Sequence, residues 1–251
     1  MIMFNANAEI ERIKLWIRNW FELNGPKASA VIGISGGKDS TIIAKLLVDA
    51  LGKDRVVGVM MPNGEQKDIS DSKRVINLLG IKNYTVNIEK AYQGLLDALE
   101  KPSIGDNIIP SNDTKINIGP RLRMTTLYAI AQSLPNGGRV CNTCNASEDY
   151  VGYSTKYGDS AGDFSPCSEY LVTEMLQIGD ALGLPYELIH KTPSDGLCGK
   201  TDEDNLGFTY AELDNYIQTG EIDDPAKKAN IDRRHILNLH KLQLMPKCER
   251  I

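Results

Sequence analysis

Gly33-Ile34-Ser35-Gly36-Gly37-Lys38-Asp39-Ser40 follows an apolar run at residues 28–32 and precedes an amphipathic run at 41–51. Strand, glycine turn and helix in that order bring backbone N–H groups and a helix N-terminus together around an anion. Gly36 and Gly37 can take positive φ and let a phosphate come close to the backbone. Ser35 and Ser40 add hydroxyl donors, and Ser40 is also placed to cap the helix. Asp39 is the odd member, because a carboxylate beside polyphosphate repels it unless a divalent cation lies between them. The spacing is neither the Walker pattern nor Gly-x-Gly-x-x-Gly.

Outward from this loop the chain alternates. Upstream, Ile10, Ile13, Trp16, Ile17, Trp20 and Phe21 predict an amphipathic helix over 8–23. Downstream, strands are expected at 55–61 and 83–88, and helices at 68–79 and 91–99. The turn signal Pro62-Asn63-Gly64 ends the first of these strands. Such alternation predicts an α/β fold, a doubly wound parallel sheet flanked by helices. Ligands of such sheets bind beyond the carboxyl ends of the strands, where the loop at 33–40 would lie. Residues 101–115 break into Pro, Ser, Gly, Asp and Asn and read as a loop. A helix over 117–134 follows, with Pro120 near its start, and then a strand over 138–142.

Residues 143–168 are polar and glycine-rich, yet carry three tyrosines at 150, 153 and 157, which suits a binding surface better than a linker. Helices are expected at 170–182, 187–190, 209–217 and 224–242, the last two forming a C-terminal helical extension. The segments 101–115 and 191–207 are lid candidates by composition. The whole chain reads as a single domain.

Composition narrows the class. A hydrophobic fraction of 41% supports a sizeable core, and a net charge of −5 argues against a nucleic-acid partner. No run of about 18 apolar residues is present, and the start lacks the basic and apolar regions of a signal peptide. Five cysteines do not make a disulfide framework, so a cytoplasmic, reduced protein with no membrane partner is expected.

Ser35-Gly-Gly-Lys-Asp-Ser40 resembles the pyrophosphate loop of the ATP pyrophosphatases, which split ATP into AMP and pyrophosphate. Further segments narrow this. They are Asn117-Ile-Gly-Pro-Arg-Leu-Arg-Met124, Asn145-Ala-Ser-Glu148 and Gly152-Tyr-Ser-Thr-Lys-Tyr-Gly-Asp159 with Asp163. Thr201-Asp-Glu203, Leu206-Gly-Phe-Thr-Tyr210 and His240-Lys241 complete the set. Together they resemble the ammonia-dependent NAD synthetases almost end to end, and residues 152–159 are the narrowest part of the match.

That resemblance implies adenylation of the nicotinate carboxylate of deamido-NAD by ATP, release of pyrophosphate, and attack of ammonia to give NAD and AMP. It implies Mg²⁺ held by Asp39 and Glu148, oxygen ligands that suit a hard cation. It implies ATP contacts from Gly33, Ile34, Ser35, Gly36, Gly37, Lys38, Asp39, Ser40, Thr143 and Ser194. Arg121, Lys156, Asp163, His240 and Lys241 match deamido-NAD positions; Arg121 can offer a bidentate fork to phosphate. Asp39 is expected to be catalytic, and Asp159 is expected to help place ammonia. A homodimer is implied, with the substrate pocket across the interface and the N-terminal and mid-chain helices as its surface. At 251 residues there is no room for the amidase domain of glutamine-using relatives.

The chain departs from the family at three points: Val172 stands where a lysine often reaches the ATP phosphates, Ser194 where threonine is common, and Asn142 in place of a glycine. Two rival readings stand beside this one. Cys141-Asn-Thr-Cys144 suits a tRNA-thiolating enzyme with the same loop, although Cys167, Cys198 and Cys248 form no second close pair. A non-catalytic adenine-nucleotide-binding protein would need the loop but neither residues 156–163 nor His240-Lys241.

Overall fold

The computed structural model describes residues 4–66, 69–102, 105–191 and 201–248. Its strands are β1 (Ser29–Gly33), β2 (Val56–Met60), β3 (Lys82–Thr85) and β4 (Gly138–Cys141), paired in the order β3-β2-β1-β4. All pairings are parallel; Ala30 of β1 faces Val56 on one side and Arg139 on the other. Every residue of β2 is buried, as expected for a parallel strand covered on both faces, and β3 is an exposed edge. Beyond β3 the pairing continues loosely, since the N–H groups of Val86 and Ile88 donate to the carbonyls of Met60 and Pro62 at 2.9 Å.

The helices on one face are α1 (Ala6–Asn24), α2 (Lys38–Leu51), α3 (Ile69–Leu79), α7 (Val172–Ala181) and α8 (Tyr186–Ile189). Ile10, Ile13, Ile17 and Phe21 of α1 pack with Ile42 and Leu46 of α2, Met175 of α7 and Ile32 of β1. Each such side chain contributes about 1.5–3 kcal/mol by leaving water. On the opposite face α5 (Asn112–Ser133) lies near Val31, Val57, Val59 and Val140, with its Ala131 in the cluster, and α4 (Glu89–Glu100) packs on α5. Ala30 and Ile32 therefore serve one layer and Val31 the other, the period of two that a strand requires.

Two short helices, α6 (Ala146–Val151) and α9 (Asp202–Leu206), and the longer α10 (Tyr210–Thr219) and α11 (Pro225–Leu242) complete the chain. A separate apolar cluster of Val151, Val172, Leu206, Tyr210, Leu213 and Ile231 binds this C-terminal extension to α6 and α7.

Several expectations need correction. Helix α5 starts at Asn112, inside the segment read as a loop over 101–115, because Ser111 Oγ accepts from the N–H of Thr114 at 3.1 Å. Pro120 is consequently interior to α5, where it withholds an N–H from the Ile116 carbonyl. Helix α7 starts at Val172 rather than 170, since Leu171 is extended and its N–H donates to Glu174 Oε2 at 2.9 Å. Helices α6 and α9 lie in stretches read as irregular. Their caps were readable: Asn145 three residues before Glu148, and Thr201 three before Asp204 with Gly207 after.

Candidate active site

The sheet order changes direction between β1 and β4, and the loop after β1 lies beside the segment after β4 at that switch point. Gly36 takes φ of 82°, and a Cβ there would lie 2.8 Å from the backbone nitrogen of Ser72, so this position admits only glycine. Gly37 is extended at φ −86°, and it occupies the N-cap of α2. Ser40 is therefore not the cap. Its hydroxyl lies within the first turn, 3.0 Å from Ser35 Oγ and 3.2 Å from the Gly37 carbonyl. Ser35 Oγ in turn accepts from the Gly37 N–H at 3.1 Å.

Asp39 is tied on both oxygens. Lys38 Nζ donates to Oδ2 at 2.9 Å, and Asn145 Nδ2 donates to Oδ1 at 3.3 Å. Asn145 is fully buried, and its own Oδ1 caps α6 by accepting from the N–H of Glu148 at 3.0 Å. One amide thus joins the loop to Glu148. Burial and the neighbouring charge of Asp39 push the Glu148 carboxyl up to about 8, and Lys38 opposes that shift. Thr143 is half-buried just beyond β4. Ser194 and residues 192–200 of the second lid candidate lie outside the described residues.

The segment 152–163 folds back over α5 and the end of β4. Asp159 Oδ1 accepts from the Thr155 N–H at 2.8 Å, while its carbonyl accepts from Asn142 Nδ2 at 2.9 Å. The amide of Asn142 does this work, which a glycine could not. Burial raises the Asp159 carboxyl, against the N–H donated by Thr155 and the charge of Lys241. Gly158 sits against α5 so closely that a Cβ would be 2.9 Å from Pro120 Cβ. Tyr157, exposed, holds φ of 60°, a strained setting for a bulky residue and one that concentrates at functional sites.

Arg121, Lys156, His240 and Lys241 are brought together by main-chain contacts. Arg121 Nε donates to the Lys156 carbonyl at 3.3 Å, and Lys156 Nζ to the His240 carbonyl at 2.6 Å. Lys241 Nζ donates to the carbonyls of Gly152 and Ser154 at 2.7 and 2.8 Å. Asp163 stands apart from this group. Its Oδ2 accepts from the Val140 N–H at 2.7 Å and its Oδ1 from the Tyr128 hydroxyl at 3.3 Å. Tyr128 lies roughly two helical turns from Arg121 along α5.

Sequence reasoning passed over four residues. Arg123 carries no assigned role in the 117–124 motif; it is half-buried, donates to the Met61 carbonyl at 3.1 Å, and lies within the field of Asp159. Asn145 and Tyr210 were quoted only as parts of motifs, and Asp202 likewise. The burial of Tyr210 beside α9 and the fields of Asp39, Glu148 and Asp202 upon it place it in the acidic corner. Nothing local in the sequence signals these contacts.

The cysteine pair has a structural setting. Cys141 and Cys144 are buried free thiols, and burial pushes both well up, against thiolate formation. Cys144 Sγ donates to the Asp159 carbonyl at 3.5 Å. Among the described residues no three His, Cys, Asp or Glu side chains converge as a protein-only metal cage. No described helix is long and apolar enough to cross a membrane.

The NAD synthase family matches residues 9–250. The NH(3)-dependent NAD(+) synthetase of Alkaliphilus metalliredigens is 36% identical over 245 residues, covering 95% of this chain and 96% of the relative. That of Pyrococcus furiosus is 42% identical over 196 residues, covering 76% and 71%. The structure of NMN synthetase from Francisella tularensis superposes with a TM-score of 0.87 at 32% identity, covering 99% of this chain and 100% of that one. With the parallel sheet, the glycine loop at its switch point and this match along almost the whole chain, the protein belongs to the NAD synthase family.

Proposed function

We propose that the protein makes NAD from deamido-NAD, ATP and ammonia through an acyl-adenylate. The observation that carries this reading is the pairing of two unlike corners across Asp159: the Asp39–Asn145–Glu148 contact at the phosphate loop, and the cations Arg121, Lys156 and Lys241. A nicotinate carboxylate is a poor electrophile. Its oxygen attacks the α-phosphorus of ATP, the bond to the β-phosphate oxygen breaks, and pyrophosphate leaves. Ammonia then attacks the activated carbonyl carbon, loses a proton, and displaces AMP.

The N–H groups at Gly36 and Gly37, the hydroxyls of Ser35 and Ser40, and Lys38 receive the pyrophosphate end of ATP. Thr143 and Ser194 contribute to the same ligand, with Gly33 and Ile34 leading the backbone into the loop. Arg121, Lys156, His240, Lys241 and Asp163 hold deamido-NAD, with Asp163 accepting from a hydroxyl or amide. Asp159 orients ammonia as a hydrogen-bond acceptor.

Asp39 and Glu148 fit magnesium. They are two oxygen donors in a water-poor corner with Lys38 as the neighbouring cation, and Mg²⁺ commonly takes one or two carboxylates plus phosphate and water. Bound there, magnesium would offset charge on the phosphates.

A homodimer accords with an open groove along the β3 edge and α5, lined by Tyr84, Val86, Thr125, Ala129, Ile130 and Leu134. Helix α1 spends Ile10, Ile13, Ile17 and Phe21 on its own core but leaves Leu15, Trp16 and Leu23 exposed, so it too offers apolar surface. Buried free thiols at Cys141, Cys144 and Cys167 accord with a cytoplasmic setting.

Purified protein given ATP, Mg²⁺, deamido-NAD and ammonium is expected to form NAD, AMP and pyrophosphate in equal amounts. Failure to do so while thiolating tRNA would overturn the reading. The Francisella tularensis relative is described as an NMN synthetase, so nicotinate mononucleotide is the rival acceptor. A higher kcat/KM for that acid would change the substrate and leave the adenylation chemistry standing.

A further inference from the structure

Lys38 is the first residue of α2, where an ammonium meets the positive end of the helix dipole and its free N–H groups. Its side chain is nevertheless 7% exposed. Both the position and the burial disfavour a lysine, so something must compensate. Nζ lies 2.9 Å from Asp39 Oδ2 and 5.4 Å from the ring centroid of Tyr210, and Glu148 and Asp202 add their fields. Carboxylates from the loop, α6 and α9 thus surround one ammonium. The Tyr210 hydroxyl, in a residue only 4% exposed, has no hydrogen-bond partner in this corner.

Asp39 Oδ1 already takes the Asn145 amide, so Lys38 occupies the other oxygen that a metal would use. Magnesium binds carboxylate oxygen at about 2.0–2.1 Å. A divalent ion that close to Oδ2 would stand within a few ångströms of Nζ, in surroundings that screen poorly. Both cations cannot keep that oxygen. Resting on the ATP- and magnesium-dependent reading above, we propose that Lys38 is an internal counter-ion of the Asp39–Glu148 pair. It holds Asp39 in place while metal is absent, competes with Mg²⁺ for Oδ2, and moves to a phosphate oxygen when metal and ATP arrive together. The apolar cluster beside this corner supports this economy. Val172 is buried in the apolar cluster that contains Tyr210, so position 172 supplies no cation to the phosphates.

The test is Mg²⁺ binding to nucleotide-free protein by calorimetry, in the unmodified chain and in Lys38→Met, which keeps the apolar stem against Tyr210. The variant is expected to bind Mg²⁺ alone about tenfold more tightly, and Mg²⁺-bound ATP about tenfold more weakly. Equal or weaker Mg²⁺ affinity, or no binding in either protein, overturns the proposal. A second measurement needs no variant. The side-chain ¹⁵N resonance of Lys38 in the unmodified protein should shift on adding Mg²⁺ alone and shift again with ATP. An unmoved resonance at saturating metal overturns it equally. Should the unmodified protein bind Mg²⁺ as described yet make no NAD, the functional reading falls and the counter-ion role remains. If NAD forms while Lys38 ignores the metal, only the counter-ion role falls.

Discussion

The two corners of the site are built by opposite means. Around Asp39 the side chains satisfy one another: Lys38, Asn145 and Asp39 are each largely buried and bonded within the cluster. Around Lys156 the cations lean on main-chain carbonyls of Gly152, Ser154, Lys156 and His240; Arg121 is exposed, and Lys156 and Lys241 are half-buried. A buried cluster is fixed in geometry before ligand arrives, and its members are costly to remove singly. A cation resting on a carbonyl can exchange that neutral acceptor for a phosphate, gaining a stronger charged contact. On the proposed function, the first corner is built for chemistry and the second for capture.

The sharpest way to break this contrast is Asp39→Ala. It should lower ATP–pyrophosphate exchange by at least about a thousandfold, with circular dichroism unchanged. Exchange that survives would remove Asp39 from the reacting corner. On the capture side, Lys156→Ala or Arg121→Ala should raise KM for deamido-NAD by roughly ten- to a hundredfold, the scale of a lost charged hydrogen bond. Steady-state kinetics would show kcat far less affected; a loss confined to kcat would erase the distinction between the corners.

Smaller effects sharpen it. Asn145→Ala removes both the α6 cap and the contact to Asp39, and should cost about 1–2 kcal/mol in urea unfolding. An unchanged midpoint would mean the phosphate loop and α6 are joined elsewhere. Last comes pH. Glu148 is raised from 4.5 to about 8, so across that window the metal-free native state holds a proton that the unfolded chain has released. Stability should therefore fall as pH rises from about 4.5 to about 8, read as a falling Tm, and Glu148→Gln should flatten the slope. A slope that survives the substitution points to Asp149, raised to about 6 by burial and by Asp159 and Glu169.

The sequence was legible where its signals are contiguous. The apolar run, the glycine pair and the following helix sit within residues 28–51, so the sheet and its ligand edge could be read directly. The cores of α1 and α11 carry enough periods for their stripe to show. Helices of six and five residues, α6 and α9, are too short for a period to emerge, and only their caps mark them. The start of α5 was hidden because Ser111 overrides a polar, proline-bearing stretch. The contact between Asn145 and Asp39 spans 106 positions, and nothing in either neighbourhood announces the other. Arg123 and Tyr210 became informative only through burial.

Gly152 closes α6 at φ 61°, and a Cβ there would lie 2.1 Å from Asn238 Cβ of α11. Around it Asn238 Nδ2 donates to the Val151 carbonyl at 3.2 Å, and Tyr150 stacks on His235 with ring centroids 4.1 Å apart. The loop after Gly152 is thus clasped by a segment made 87 positions after Val151. A chain emerging from the ribosome can assemble its sheet and phosphate loop early, yet it lacks a finished substrate corner until α11 arrives. On the proposed function, competence for the dinucleotide then follows folding of the sheet as a later and distinct event.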